Sequence, residues 1–188
     1  MNFLKDKYFT LFIIKFLLIF AILYYGTLAV IGLAAPDGYY SPFVAKYMDY
    51  VSLISYSLVQ GTKLLLAIFG IDTYLAPNFV IRIVNGTGVR IAYDCVGYGV
   101  MSFWVAFVAA SPGAFRKKLF WALFGLLLLW TINISRIGLL LVAYNRNWPI
   151  PLGLDHHTWF NIVAYLAIFS MMYFFDRSGK RVSKTAHR

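Results

Sequence analysis

The sequence predicts an all-α integral membrane protein: a bundle of about four transmembrane helices, with an interfacial helix and a short β-hairpin on the outer side. The composition favours this class, because 61% of the 188 residues are hydrophobic and only 13% are charged. A soluble domain has about 45–50% apolar and about 25% charged residues. The length is that of one domain. The net charge of +10 is typical of basic residues that orient a chain in the bilayer, so we expect no nucleic-acid partner.

Four long apolar stretches predict the transmembrane helices, since about 20 apolar residues cross a bilayer. They are residues 9–35, 95–115, 118–144 and 157–175. Basic residues precede the first stretch, separate the second from the third, and form a tail at 176–188. Because Lys and Arg concentrate on the cytoplasmic side, four spans put both termini inside. No small-residue cleavage site follows a short apolar core, so we expect the first stretch to be a retained anchor.

Residues 44–70 are also apolar, but Gln60 and Lys63 interrupt them. A fifth span here would move the N-terminal lysines to the outer side, against the charge distribution. We therefore predict a helix that lies on the outer leaflet or dips into it. A tilted fifth span, stabilised by neighbouring helices, is the alternative.

Residues 78–94 predict a β-hairpin on the outer side of the membrane. Two runs of β-forming residues, Phe79–Val84 and Val89–Tyr93, flank Asn85-Gly86. An Asn-Gly pair between such runs is a strong hairpin signal. The hairpin would deliver the chain to the membrane at Cys95.

Three polar side chains, Cys95, Arg136 and His157, are expected at one height in the bilayer. At 1.5 Å per helical residue, they lie about 31, about 27 and about 28 Å from the cytoplasmic charges at the other ends of their helices. Those charged residues are Arg116, Lys118 and Asp176. All three side chains would then lie near the outer surface, about one hydrocarbon thickness away.

These residue types suit activation of a thiol. The thiolate is the nucleophilic form of cysteine, and Cys95 would lie in the first turn of its helix, where the partial positive charge favours an anion. His157 could accept the thiol proton and return it to a leaving amine. Arg136 could stabilise the thiolate, an oxyanion or a substrate carboxylate. Plainer roles are a packed Cys95, a snorkelling Arg136 and interfacial histidines, and a metal site is not predicted.

Further polar and small residues accompany the three. Asn133 precedes Arg136 by three positions and Asn161 follows His157 by four, so each amide shares a helical face with its neighbour and could orient it or donate to an oxyanion. Asp94 and Asp155 could orient His157 or pair with Arg136. The remaining candidates are Gly97, which removes bulk near the thiol, and His156, which is the alternative base.

Three motifs carry a family resemblance. "DCVGYG" with Cys95 at a helix start, "NISRIG" with Arg136, and "DHHTWFNIVAY" with His157 resemble the exosortase/archaeosortase family in order and in placement at the outward ends of successive spans. The resemblance covers roughly residues 70–175. It implies a compact bacterial, membrane-embedded cysteine peptidase or transpeptidase, with Cys95 as nucleophile, Arg136 as stabilising cation and His157 as base and acid.

The chain departs from the family pattern at two points. Val96 follows the cysteine where the family commonly has a small residue, often Ser. Two adjacent histidines leave the base open between His156 and His157, and Asn161 one turn below favours His157.

The resemblance also implies a substrate class and a location. The expected partners are the lipid bilayer and exported proteins whose C-terminus carries a short motif, a transmembrane helix and a basic tail. The location would be the bacterial cytoplasmic (inner) membrane, with the active site facing outward and no cofactor. Two alternatives are a non-catalytic membrane subunit of a surface-export system and a thiol-dependent lipid acyltransferase.

Overall fold

The computed structural model describes residues 7–35, 39–148 and 156–185. The chain is mostly helical (76%) and includes a small three-stranded sheet. Among the described residues, three helices are long and apolar enough to cross a membrane: α1 (Lys7–Ala34), α3 (Tyr50–Ile68) and α5 (Phe115–Asn145). The remaining helices are α2 (Pro42–Tyr47), α4 (Tyr98–Ala110) and α6 (His156–Thr185). The predicted mainly helical, apolar architecture is therefore confirmed at this level.

Helices α1 and α4 are held together by an aromatic ladder. Aromatic residues at every fourth position of α1 lie on one helical face and meet aromatic residues of α4 in reverse order. The pairs are Phe12 with Phe107, Phe16 with Phe103 and Tyr24 with Tyr98, at ring-centroid separations of 6.0, 5.2 and 5.6 Å. The two helices therefore run antiparallel.

Helix α4 approaches α5 closely where α5 carries a glycine. The indole of Trp104, fully buried in α4, lies directly over Gly125, where a Cβ atom would overlap it. The indole nitrogen donates a hydrogen bond of 3.0 Å to the Trp121 carbonyl. A small residue in α5 thus admits the largest side chain of α4, as expected where helices pack in a membrane.

The predicted helix over residues 44–70 is wrong as one element, because the chain forms α2 and α3 with a break between them. Asp49 caps α3: its carboxylate accepts a hydrogen bond of 3.0 Å from the Ser52 backbone nitrogen. An aspartate is a strong N-cap and begins a new helix there. The apolar pattern continues through the break and so concealed it.

Helix α3 packs against the second half of α5. Gly61 faces the Trp130 ring and Ile134, and Leu66 approaches Gly138. The Trp130 indole donates to the Ser57 hydroxyl at 3.1 Å. These contacts advance together along both helices, so α3 and α5 run in the same general direction.

The sheet is antiparallel, in the order β1 (Thr73–Ala76), β2 (Val80–Ile83), β3 (Gly88–Arg90). The predicted hairpin is present, with Asn85-Gly86 in the turn between β2 and β3. Strand β1 was not predicted; the turn residues Pro77-Asn78 after it were its signal. Asn145, the last residue of α5, fixes the hairpin by accepting a 2.7 Å hydrogen bond from the Thr87 nitrogen.

The bounds of three further helices differ from the prediction. The predicted span 95–115 is only the 13-residue α4, because Gly97 interrupts the chain before it and residues 111–114 are not helical. The span predicted at 118–144 extends over the whole of α5. Helix α6 continues past residue 175 to Thr185, so most of the predicted basic tail is helical.

Adding a side chain at Gly125 should separate α4 from α5. We expect Gly125→Leu to destabilise the protein by about 1–3 kcal/mol, the typical cost of overpacking a filled core, because the new side chain must displace Trp104. Thermal unfolding in detergent would measure this. Gly26→Leu in α1 is the control, since a Cβ there meets nothing within 4 Å; equal melting temperatures for the two variants would contradict the packing.

Candidate active site

Cys95 lies in a 3-10 turn that precedes α4. The turn covers Tyr93–Val96, and the Cys95 nitrogen donates to the Ala92 carbonyl at 2.9 Å. Gly97 follows with φ 78° and ψ 22°, a left-handed conformation that glycine adopts without strain, and α4 begins at Tyr98. The expectation that Cys95 lies in the first turn of the long helix is therefore wrong. Cys95 is a free, half-buried cysteine.

Two side chains of α5 bind the backbone of this turn. The Asn133 amide nitrogen donates to the carbonyls of Cys95 and Val96 at 2.9 and 3.0 Å. The Arg136 guanidinium donates to the same Cys95 carbonyl at 3.2 Å. We call these contacts the carbonyl clamp. The clamp brings Arg136, a predicted site residue, to the cysteine turn. Asn133 and Arg136 can bind the same carbonyl because they share one face of α5.

The clamp leaves one polar atom of Asn133 unused. Its side chain is 1% exposed, and its Oδ1 atom has no hydrogen-bond donor among the described residues. Leaving a buried acceptor unsatisfied costs about 1–3 kcal/mol. This oxygen is an unused acceptor inside the bundle, which a buried water could satisfy.

The clamp also fixes the height of Cys95. Asn133 and Arg136 lie 15 and 18 positions after Lys118, or about 23 and about 27 Å along α5. The expected separation of about 31 Å between Cys95 and Arg116 is too long, since the helix stops at Ala110. Cys95 thus lies about 23–27 Å above the basic end of the bundle, less than a full hydrocarbon thickness of about 30 Å.

Helix α6 packs antiparallel to α5. Phe175 meets Trp121, with ring centroids 5.9 Å apart, and the Phe175 carbonyl accepts from the Lys117 ammonium at 3.2 Å. Counting from that contact, Arg136 is about 23 Å up α5 and position 157 is about 27 Å up α6. The two positions are thus within about 5 Å in height.

The remaining predicted site residues are only partly described. His156 and His157 form the first turn of α6, but their side chains, and that of Asp94, lie outside the described structure, and Asp155 lies outside the described residues. Asn161 is described and exposed, and no described hydrogen bond joins it to the clamp. The structure thus unites Cys95, Asn133, Arg136 and Gly97.

Sequence reasoning missed what the amide of Asn133 binds. It was expected to orient a side chain or to donate to an oxyanion, yet it satisfies two backbone carbonyls of another element. The signal was Gly97 two positions after Cys95, because a glycine in a left-handed conformation interrupts the helix and leaves carbonyls without intrahelical partners.

No family model, curated protein or solved structure matches this chain.

Asn133→Ala should loosen the cysteine turn. The substitution removes the amide hydrogen bonds to the Cys95 and Val96 carbonyls, and only the bond from Arg136 to the Cys95 carbonyl remains in the clamp. We therefore expect the unfolding free energy to fall by about 1–3 kcal/mol. The alkylation rate of Cys95 in detergent should increase as the turn opens. Ser135→Ala is the control on the same helix, because that hydroxyl bonds only to the Thr131 carbonyl of its own turn. Unchanged alkylation of Cys95 in Asn133→Ala would show that the clamp does not hold the turn.

Proposed function

We propose that the protein is a membrane-embedded cysteine peptidase or transpeptidase that cleaves C-terminal sorting signals of exported proteins. One observation carries the proposal: Asn133 and Arg136 converge on the carbonyl of Cys95, the only cysteine in the chain. The backbone of the residue that carries the thiol is thereby bound by a cation and by a buried amide in an apolar bundle. Charged groups are costly in such surroundings and mark candidate sites.

The proposed reaction is acyl transfer through a thioester. The Cys95 thiolate attacks the scissile carbonyl carbon, a C–S bond forms, and the C–N bond breaks as the leaving amine takes a proton from His157. Water or an acceptor amine then attacks the thioester, gives a proton to His157, and releases the thiolate. Arg136 stabilises the negative charge that develops on the carbonyl oxygen.

The height of position 157 and the family resemblance both support His157 as the proton carrier. The register of α5 against α6 gives position 157 nearly the height of Arg136. The resemblance to exosortases and archaeosortases assigns the same role to the histidine of the "DHHTWFNIVAY" motif.

The same proposal includes a topology. Helices α1, α5 and α6 cross the bacterial cytoplasmic membrane, and α4, about 20 Å long, returns the chain from the cysteine turn to the cytoplasmic side. Both termini are inside, and α3 lies in the outer leaflet beside the cysteine turn. The contacts of α3 with α5 lie between Trp130 and Gly138, in the second half of α5, which favours this position over a full span. A substrate with a C-terminal transmembrane helix would reach Cys95 by lateral diffusion, with its basic tail in the cytoplasm.

Single cysteines in a Cys95→Ala background test this topology. Val84 is 49% exposed beside the β-hairpin turn, and Ala114 is exposed between α4 and α5. We expect a membrane-impermeant maleimide to label Val84→Cys in outer-permeabilised cells, and to label Ala114→Cys only after lysis. The reverse pattern would place Cys95 near the cytoplasmic face and exclude the proposed orientation.

Processing of a reporter tests the chemistry. The reporter is an exported protein ending in a short motif, an apolar helix and basic residues, with motifs taken from such tails in the same genome. We expect Cys95→Ala to abolish shortening of the reporter, and Arg136→Gln to slow it by about 100–1,000-fold, as for loss of an oxyanion donor. Arg82→Gln in the hairpin is the matched control and should process normally.

The outcomes separate the candidate functions. A peptide thioester on Cys95, found by mass spectrometry when acceptor is limiting, identifies the peptidase. A fatty acyl group on Cys95 would identify the lipid acyltransferase. Normal processing of the reporter by Cys95→Ala, together with loss of processing in Arg82→Gln, would contradict the enzyme proposal and favour the docking subunit.

A further inference from the structure

A groove lies between α5 and α6 at the basic end of the bundle, away from Cys95. Its volume is about 740 Å³, within the range of roughly 300–1,000 Å³ that is typical of small-molecule sites. The lining is apolar except for an arginine and two serines. The lining includes Trp121, Phe124, Leu128, Ala167, Phe174 and Arg177.

The length of the groove matches one leaflet of a bilayer. From Arg177 to Ala167 is ten positions of α6, or about 15 Å. The hydrocarbon core of a membrane is about 30 Å thick, so one leaflet is about 15 Å. An acyl chain fits this length, whereas a transmembrane helix of a partner protein would need a surface twice as long.

The charge is concentrated at one end of the groove. Arg177 donates a 2.9 Å hydrogen bond to the Tyr173 hydroxyl one turn above, which orients its guanidinium. Lys117 of α5 is at the same end of the bundle, 4.7 Å from the centre of the Phe175 ring, but outside the groove. Asp176, the only acidic residue after position 155, does not line the groove.

We propose that this groove binds one anionic phospholipid, with an acyl chain between α5 and α6 and the phosphate at Arg177. A basic pocket between transmembrane helices is a known type of site for acidic headgroups. Small side chains at Ala167 and Ser170 leave space for the chain, while Trp121 and Phe174 form its walls. The site is independent of Cys95, so it holds whether or not the enzyme proposal does.

Native mass spectrometry of the purified full-length chain in detergent tests the proposal. The probes are phosphatidylglycerol and phosphatidylcholine with identical acyl chains. We expect the first phosphatidylglycerol to bind about five-fold more tightly than phosphatidylcholine, the factor for one basic side chain near an anionic headgroup. Arg177→Gln should remove this preference. Arg116→Gln removes the same charge at the same end of the bundle but outside the groove, and should keep it.

A second pair of variants tests the acyl chain. Ala167→Leu fills the groove and should weaken binding of both lipids, whereas Val163→Leu, one turn above and outside the groove, should not. Glycerol phosphate distinguishes a lipid site from a site for free phosphate. At a concentration equal to that of phosphatidylglycerol, it should not displace the lipid, because it has no acyl chain to fill the groove.

Three results would overturn the proposal. Equal binding of the two lipids would mean ordinary contact with surrounding lipid. Equal losses in Arg177→Gln and Arg116→Gln would mean diffuse attraction to the basic end. Conversion of a dimer to a monomer by Ala167→Leu, with lipid binding unchanged, would assign the groove to a second copy of the chain.

Discussion

The interior of this apolar bundle must satisfy two backbone carbonyls that the chain exposes where it bends into α4. Gly97 ends the 3-10 turn in a left-handed conformation, so the carbonyls of Cys95 and Val96 do not continue into a helical ladder. In a membrane interior each unsatisfied group costs several kcal/mol. The amide of Asn133 binds both and is itself buried. This contact sets the register of α4 against α5. Trp104 packs over Gly125 in the same register, about 12 Å from Asn133 toward the start of α5.

Helix α5 is the element on which the other elements depend. It meets α4 through Gly125, α3 through Trp130 and Ile134, and the hairpin through Asn145. Each contact uses either a glycine, which admits a neighbouring side chain, or a polar group that finds a partner on another element. Small residues and hydrogen bonds are the expected means of association between helices surrounded by lipid, where apolar surface alone gives little driving force.

The two proposed sites use different segments of this helix. The carbonyl clamp lies about 23–27 Å above Lys118 along α5, and the groove lies beside Trp121 at the basic end. Catalysis at the first would need an enclosed thiol with a nearby cation, and lipid binding at the second needs an open apolar surface with a cation at its edge. The groove exists because α6 packs closely on α5 at Phe175 but leaves space where its side chains are as small as Ala167.

The sequence by itself determined the apolar helical class, the Asn85-Gly86 hairpin turn and the shared face of Asn133 and Arg136, because composition, turn chemistry and helical periodicity are local properties. It did not reveal the break at Asp49 or the shortness of α4, because an apolar run continues across each of these boundaries. It did not reveal strand β1, because a strand of four residues gives little pattern to recognise. Only the tertiary structure decided that Asn133 binds the backbone of the cysteine turn and that Arg136 reaches the same carbonyl. That outcome depends on which helix packs beside which and on the register of α4 against α5, and spacing within one helix contains no information about either.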